Sequence, residues 1–335
     1  MMSDSPLPPP IRVAIAGASG YAGQELVRLL ARHPGAALTA AMSSGGETRR
    51  LPALARLWDG EVQPLDVERL AASSDVVFLG LPEAAAASVG VTLVARGLRV
   101  IDLSGSFRLR DDELRKRWYP DTASLPGGTL YALPERSREA LPGARLVSCP
   151  GCYPTAALLA LQPLADAGLL AAGDIVIDAK SGVSGAGKAA TDRTHFSENH
   201  GSAAAYGIFG HRHTAEMEQA LARPITFVPH LVPLNRGILE TLYARVAPGT
   251  TAAALDEAYR AAYADAPCVR LCGQSLPEIK HVAYTPFCDL GWRLDEPSGR
   301  LVIVACLDNL LKGAASQAVQ NFNLMCGLDQ RTGLF

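Results

Sequence analysis

A seven-residue glycine pattern constrains this chain more than any other feature. The apolar run IRVAIAG, residues 11–17, leads straight into Gly17-Ala-Ser-Gly20-Tyr-Ala-Gly23. An amphipathic stretch follows, with Leu26, Leu29 and Leu30 on one face. A strand, a glycine turn and a helix in that order open a crossover unit. The spacing G-x-x-G-x-x-G is a variant of the dinucleotide fingerprint. The glycines permit a tight turn and a close approach of backbone to a pyrophosphate, and the free N–H groups of the helix start attract its charge. Further apolar runs, ALTAAMSS, DVVFLGLP, RVIDLSG and RLVSCPG, alternate with helical stretches up to about Val147. This alternation predicts an α/β fold with a Rossmann-type, doubly wound parallel sheet.

After Gly151 the texture changes. A helix is expected from about Pro154, then DIVIDAKSGV, then a Gly/Ser/Ala/His-rich stretch over residues 184–213. The runs PITFVPHL, RGILETLYARVA, EIKHVAYTPF and RLVIVACLD read as strands, interrupted by a helix over 252–264. Strands with few crossovers predict an α+β domain with a mostly antiparallel sheet. The tail LKGAASQAVQNFNLMCGL reads as a helix ending at Gly327. At 335 residues the chain is long enough for two domains.

Charge and cysteine usage remove several function classes. With 31 basic and 33 acidic residues the net charge is −2, which argues against a general nucleic-acid binder. Seven cysteines in so long a chain exclude a small disulfide scaffold and favour a reducing, cytoplasmic setting. The opening MMSDSPLPPP lacks the order of a signal peptide and reads as a loose leader. Residues 76–95 are apolar enough to suggest a membrane span, but Pro82 and Glu83 interrupt them, so a strand, a turn and a helix are expected.

The end of the second strand bears on the nucleotide. NAD sites usually place Asp or Glu there for the ribose 2′-hydroxyl. This chain has Ser43 and Ser44, with Arg49 and Arg50 close behind. Hydroxyls and a guanidinium suit a 2′-phosphate, which favours NADP. A solvated loop accounts for the two arginines almost equally well.

The second chemical signal is Cys152. VSCPGCYPTAALLA runs from a strand into a helix, with Pro154 suited to the first turn, so Cys152 is expected just outside a helix N-terminus. Free N–H groups and the helix dipole there favour thiolate over thiol, and the same donors face a developing oxyanion. The other reading of a free cysteine, a small buried apolar residue, suits Cys268, Cys272, Cys288, Cys306 and Cys326. Cys149 and Cys152 also form a C-x-x-C, which leaves a thiol–disulfide oxidoreductase open; a zinc site lacks a second pair at ligand spacing.

The run over 147–163 resembles the signature of the N-acetyl-gamma-glutamyl-phosphate reductases, NADP-dependent enzymes of arginine biosynthesis. The resemblance covers nearly the whole chain, through GASGYAGQELVRLL, IDLSGSFRL, YALPE, PGCYPT, SGVSGAGKAA, HRHTAEMEQ, FVPHLVPLNRGILET and LDNLLKGAASQAVQNFN in that order. It implies kinship in fold and chemistry with aspartate-semialdehyde dehydrogenases and phosphorylating glyceraldehyde dehydrogenases. It also implies that the last helix returns to the nucleotide domain. The expected division is therefore 1–150 plus 309–335 for NADP binding, and 151–308 for catalysis and dimerisation. One departure is local. Where the family motif usually has Asn three residues before the nucleophile, this chain has Cys149, whose oxidation onto Cys152 would switch the enzyme off.

The resemblance implies that Cys152 attacks an acyl phosphate, that the thioester accepts hydride, and that His213 is the acid/base with His211 binding or orienting substrate. A metal at the His211/His213 pair would need a third ligand such as His195 or His200, and the chemistry needs none. The glycine-loop residues expected to touch the cofactor are Gly17, Ser19, Gly20, Tyr21, Ala22 and Gly23. Leu81 and Pro82 follow the third strand. The loop over 181–188 departs from a P-loop because Ala189 follows Lys188; by resemblance Ser181, Gly182 and Ser184 meet the nicotinamide half. Asn309 and Lys312 begin the last helix and complete the expected cofactor set. Substrate anions are assigned to Ser104, Arg108 and Arg236, because arginine binds such groups in a fork. Structural ion pairs are the competing reading for both arginines. Carrier-linked aminoadipyl or glutamyl phosphate, aspartate semialdehyde, and noncatalytic NADP sensing remain open as alternatives. A homodimer or homotetramer is expected, with small molecules, not membranes or nucleic acid, as partners.

Overall fold

The computed structural model describes residues 9–122 and 124–335. The expected leader therefore lies almost wholly outside the described residues. The chain forms two compact units: Met1–Phe107, Ser124–Cys149 and Ala318–Phe335 make the first, and Arg108–Ala123 with Pro150–Gln317 make the second.

The first unit is built on a seven-stranded, all-parallel sheet of order β3-β2-β1-β4-β5-β7-β6. Its strands are β1 (Ile11–Ala16), β2 (Ala36–Ser43), β3 (Val62–Pro64), β4 (Val76–Leu79), β5 (Arg99–Asp102), β6 (Thr129–Tyr131) and β7 (Leu146–Ser148). The chain builds outward one way from β1 and then the other way from β4. This makes β1/β4 the switch point at which such sheets bind ligands. Helix α1 (Tyr21–Leu30) follows β1, and α2 (Glu83–Ala95) follows β4. Thus the apolar stretch over 76–95 is a strand, a turn and a helix, and among the described residues no helix is long and apolar enough to cross a membrane. Two strands of this first sheet are not among the runs read from the sequence, β3 and β6. At three residues each they are too short to show a period.

Buried Val, Leu and Ala residues from these strands, with Phe107, fill one side of the sheet. Part of the C-terminal helix belongs to this unit, where Phe322 meets Phe78 and His33 at ring centroid distances of 5.8 and 5.5 Å. Asn323 Oδ1 lies 2.8 Å from His33 Nε2.

The second unit carries a mixed sheet of order β12-β13-β14-β11-β8-β10-β9. Its strands are β8 (Val176–Gly182), β9 (Ala204–Ala205), β10 (Thr226–Val232), β11 (Ile238–Arg245), β12 (Val269–Gly273), β13 (Cys288–Asp295) and β14 (Arg300–Leu307). Four neighbouring pairs are antiparallel; β8/β10 and β12/β13 are parallel. Helices α3 (Cys152–Asp166), α4 (His213–Leu221) and α5 (Ala252–Tyr263) complete it. The run EIKHVAYTPF is not a strand. It holds a short helix, Ile279–Val282, and then Tyr284 in a left-handed conformation (φ 63°) ahead of Pro286, which breaks any extension.

Two segments group differently from the expected boundaries. Residues 108–123 join the second unit because Gln219 holds both Arg110 N–H and Arg108 carbonyl, at 2.7 and 3.1 Å. Residues 309–317 join it because Gln317 donates to Thr155 Oγ1 at 2.7 Å and Asn309 to Ser184 Oγ at 3.0 Å. The last helix also starts irregularly: Leu311–Ala315 is a π turn before Ser316–Met325 becomes α-helical.

Candidate active site

In the first unit the glycine loop sits at the switch point. Gly17, after β1, has φ 99°, and a Cβ there would fall 2.2 Å from the carbonyl oxygen of Gly80, after β4. A Cβ on Gly23 would fall 2.1 Å from the carbonyl oxygen of Gly17. Neither position accepts a side chain. The helix α1 begins at N-cap Gly20 with no side-chain cap and no acidic residue in its first turn. Its first N–H groups are thus left for an anion, and the cradle fits a dinucleotide pyrophosphate.

Of the remaining expected contacts here, Ser19 lies in the loop, where its carbonyl accepts from Gln24 Nε2 at 3.0 Å. Tyr21 and Ala22 open α1, and Tyr21 is partly exposed. Leu81 is buried and Pro82 is the N-cap of α2. Ser43 ends β2 and is buried, whereas Ser44 is exposed. Arg49 is anchored by its backbone to Val62 on both sides, at 2.9 Å each. Its guanidinium lies over Gly45, near Ser43 Oγ: a Cβ on Gly45 would meet the two at 3.5 and 3.8 Å. Ser104 donates to Asp102 Oδ2 at 2.7 Å. Cys149 is buried, and its sulfur accepts from Asn321 Nδ2 at 3.5 Å.

The second unit assembles the reacting group. Cys152 is the first residue of α3, with Gly151 as N-cap and no side-chain cap on that residue. Glu216, on α4, supplies what is missing. Its Oε2 accepts the Gly151 N–H at 3.1 Å, while its Oε1 accepts from Arg108 Nη1 at 2.8 Å. Arg108 Nη1 also lies 3.3 Å from His213 Nε2. Glu216 is fully buried and the Arg108 side chain only 7% exposed. Breaking such a pair by removing one partner costs about 3–5 kcal/mol, because a buried charge is stranded. Gly151 is required for this approach. A Cβ there would lie 2.4 Å from His213 Nε2 and 2.8 Å from Arg108 Nη1. On another side the π turn closes in, where a Cβ on Gly313 would lie 2.8 Å from Cys152 Cβ.

His213 is the first residue of α4, and Arg212 is the N-cap. Its amide donates to His211 Nδ1 at 3.1 Å, and the two rings lie 4.7 Å apart. The His211 ring is ringed by Tyr153, Tyr206 and Phe227 at 5.9, 5.6 and 5.4 Å. Among the described residues no group of three or more His, Cys, Asp or Glu is placed to hold a metal ion.

The electrostatics depart from a thiolate-favouring helix start. Burial pushes the Cys152 thiol up to about 11, against the pull of Arg108 and the Tyr153 N–H, with Glu240 and Glu216 adding to the rise. The negative charge favoured at this helix end is already supplied by Glu216. Burial, with Arg212 beside it, lowers His211 to about 4. Burial first, then His211 and the two arginines, holds His213 well below an ordinary histidine. The site at rest is therefore a neutral thiol and neutral imidazoles around one fixed guanidinium. With Arg108 donating to Nε2, the His213 proton is assigned to Nδ1, which is buried and without a partner.

The other expected residues lie in the same unit in different settings. Ser181 donates to the Gly182 carbonyl at 3.0 Å. Asn309 donates to Ser184 Oγ at 3.0 Å and accepts the Gly237 N–H at 2.8 Å, so its amide is engaged at both ends. Lys312 is fully buried in the π turn. Arg236 faces Asp308 at 3.6 Å and stacks on Tyr284 at 4.7 Å, the structural pairing that competed with a substrate role. Glu216 was missed from the sequence. Its signal was present: three residues after His213 on a helix, it shares that histidine's face.

Comparison with known proteins now decides the family. Models of the semialdehyde dehydrogenase NAD-binding domain and dimerisation domain match residues 12–144 and 152–309. N-acetyl-gamma-glutamyl-phosphate reductases from Syntrophobacter fumaroxidans and Brevibacillus brevis are 45% and 40% identical, each over 97% of this chain and 98% of its own length. The chain belongs to the N-acetyl-gamma-glutamyl-phosphate reductase family. Its fold is also that of aspartate semialdehyde dehydrogenase II from Vibrio cholerae, with TM-score 0.73 and 19% identity over 96% of this chain and 99% of that one. A Candida albicans aspartate semialdehyde dehydrogenase solved with NADP gives TM-score 0.71 at 15% identity, over 96% and 99% of the two chains. A nucleotide-dependent oxidoreductase of amino-acid biosynthesis is thus the family reading, and a thioredoxin-like or noncatalytic role is not favoured.

Proposed function

We propose that this chain reduces the acyl phosphate of N-acetyl-glutamyl 5-phosphate to N-acetyl-glutamate 5-semialdehyde and phosphate, in arginine biosynthesis. The observation that carries it is the frame of Arg108, Glu216 and the Gly151 N–H, which sets His213 against Gly151, the residue before Cys152. The sulfur of Cys152 bonds to the acyl carbon as its proton leaves toward the His213 imidazole, whose lone pair is on Nε2. Arg108 stabilises negative charge on sulfur and on the tetrahedral oxygen. The carbon–oxygen bond to phosphate breaks, and a thioester remains. A reduced nicotinamide, when bound, supplies the hydride. Collapse of the resulting thiohemiacetal frees the aldehyde and restores the thiol.

The nucleotide is held at Gly17, Ser19, Gly20, Tyr21, Ala22 and Gly23, with Leu81 and Pro82 beside them. NADP is the preferred form. Arg49 and Ser43 converge on Gly45, as a 2′-phosphate requires, and no acid stands at the end of β2. Ser181, Gly182, Ser184, Asn309 and Lys312 are assigned to the nicotinamide half, and Ser104 and Arg236 to substrate. The protein is assigned to the cytoplasm, where its seven cysteines stay reduced, and to a homo-oligomer, which light scattering on the purified chain would test.

The reaction is tested in reverse, by following NADP reduction with N-acetyl-glutamate semialdehyde, with and without phosphate. Phosphate-dependent reduction is expected in the parent protein and a loss of about 10³-fold or more in Cys152→Ser. Reduction without phosphate dependence rejects the proposal. Aspartate semialdehyde and a carrier-linked aminoadipate semialdehyde, offered separately, distinguish the two related substrates.

A further inference from the structure

Glu240 is another buried acid of the catalytic unit, and it has no place in the chemistry so far. It sits in the middle of β11, fully buried, and neither carboxylate oxygen has a hydrogen-bond partner. Across the sheet it pairs with Ala179 on β8 and Ala305 on β14. These two methyl side chains leave room for a carboxyl group where larger residues would fill the layer. Helix α3, which begins at Cys152, packs on both β11 and β14. An ionised carboxylate with no donor, in such a place, is among the most expensive groups a fold can hold. A carboxylic acid is not.

We propose that Glu240 is a positioning residue for Cys152: a neutral carboxylic acid seated in the sheet that α3 covers, whose ionisation and that of the nucleophile oppose one another. This rests on Cys152 being the nucleophile. Burial holds Glu240 well above an ordinary carboxyl. Charge on Glu240 raises both Cys152 and Cys306. By reciprocity, a thiolate at Cys152 must raise Glu240 by the same amount. The other charged and titratable groups around the nucleophile are Arg108, Glu216, His213, Tyr153 and Tyr206. The Arg108–Glu216 pair is mutually compensated and both imidazoles are neutral. Glu240 is the uncompensated group whose protonation decides whether a negative sulfur faces a second negative charge.

The test uses iodoacetamide alkylation of Cys152 as a function of pH, assigned by its loss in Cys152→Ser, and the infrared band of a protonated carboxylic acid. In Glu240→Gln, which keeps the shape and cannot ionise, Cys152 should alkylate severalfold faster than the parent at alkaline pH. The carboxylic-acid band present in the parent at neutral pH should vanish. An alkylation profile superimposable on the parent's, or no band lost, overturns the proposal. If Glu240→Gln does not fold, Cys152→Ser carries the test. Without a thiolate to oppose it, Glu240 should lose its band at lower pH than in the parent, and an unshifted loss overturns the coupling. Neither readout needs substrate. A failure here therefore leaves acyl-phosphate reduction untouched, and a failure of that activity leaves these measurements intact.

Discussion

Both units present a helix start led by glycine and left without a side-chain cap of its own, yet the two ends do different work. At α1 the cap is Gly20, and the closest constraints on the loop are backbone: Gly17 against Gly80, and Gly23 against Gly17. At α3 the cap is Gly151, and its N–H is taken by Glu216 from another helix. The first helix end keeps its positive character for a ligand. The second has spent it on a resident carboxylate, so Cys152, although first in its helix, is held as a thiol. Position at a helix start therefore does not by itself make a thiolate. The dipole is worth at most about 2 kcal/mol, and the burial that places the cysteine in a dry site outweighs it.

Removing the resident charge breaks this comparison most directly. Glu216→Gln keeps an acceptor for the Gly151 N–H but strands Arg108 in the interior. Two opposite effects are expected. Stability should fall by about 3 kcal/mol in denaturant unfolding, within the range for a broken buried pair. The Cys152 thiol should ionise at lower pH, because Glu216 raises it and Arg108, freed from its partner, lowers it. The alkaline limb of the alkylation profile should move toward neutrality. Reductase activity should nevertheless drop about 100-fold or more, because Arg108 and His213 lose their common anchor. A variant with full activity and an unmoved alkylation profile would return Glu216 to a purely structural role.

The same contrast explains what was legible in the sequence. The glycine loop was readable because its partners lie within seven residues of one another and because a strand and a helix frame it. Cys152 was readable from Pro154 and the helix that follows. Its environment was not. Arg108 and Glu216 are 108 positions apart, and their pairing depends on a segment, 108–123, that groups with the second unit. Glu240 was invisible for another reason. Alternation in RGILETLYARVA fixes which residues share a face, but the alanines at 179 and 305 that make room for an acid come from strands distant in sequence. The π turn was hidden too, because Gly313 within LLKGAASQ carries no sign that Cys152 lies against it.

The α1 end is probed by filling its cradle. Gly17→Ala places a Cβ 2.2 Å from the Gly80 oxygen at a backbone φ of 99°. Both the clash and the left-handed conformation must be relieved by opening the β1/β4 crevice. NADP affinity by calorimetry should fall at least about tenfold, or 1.4 kcal/mol. Cys152 should still alkylate with the parent's pH profile, because its ionisation is set within the second unit. A variant that binds NADP as the parent does would show that the pyrophosphate is held elsewhere.

The smallest effect expected is at the rim of the same loop. Arg49 is exposed, so its attraction for a 2′-phosphate is screened by water and salt. What favours it is preorganisation: two backbone hydrogen bonds to Val62 fix the residue, and its guanidinium already lies over Gly45 near the buried Ser43. A charge-assisted contact in that setting is worth about 1 kcal/mol, below the range for buried ones. Arg49→Ala should therefore weaken NADP by about fivefold and leave NAD within about twofold, measured on the same preparation at low ionic strength. Added salt should shrink the difference, because a screened charge pair is the cause. Equal weakening of both nucleotides would place Arg49 among the residues that merely shape the loop. The specificity would then rest on the absent acid and the two serines, which Ser43→Asp would test by inverting the preference toward NAD.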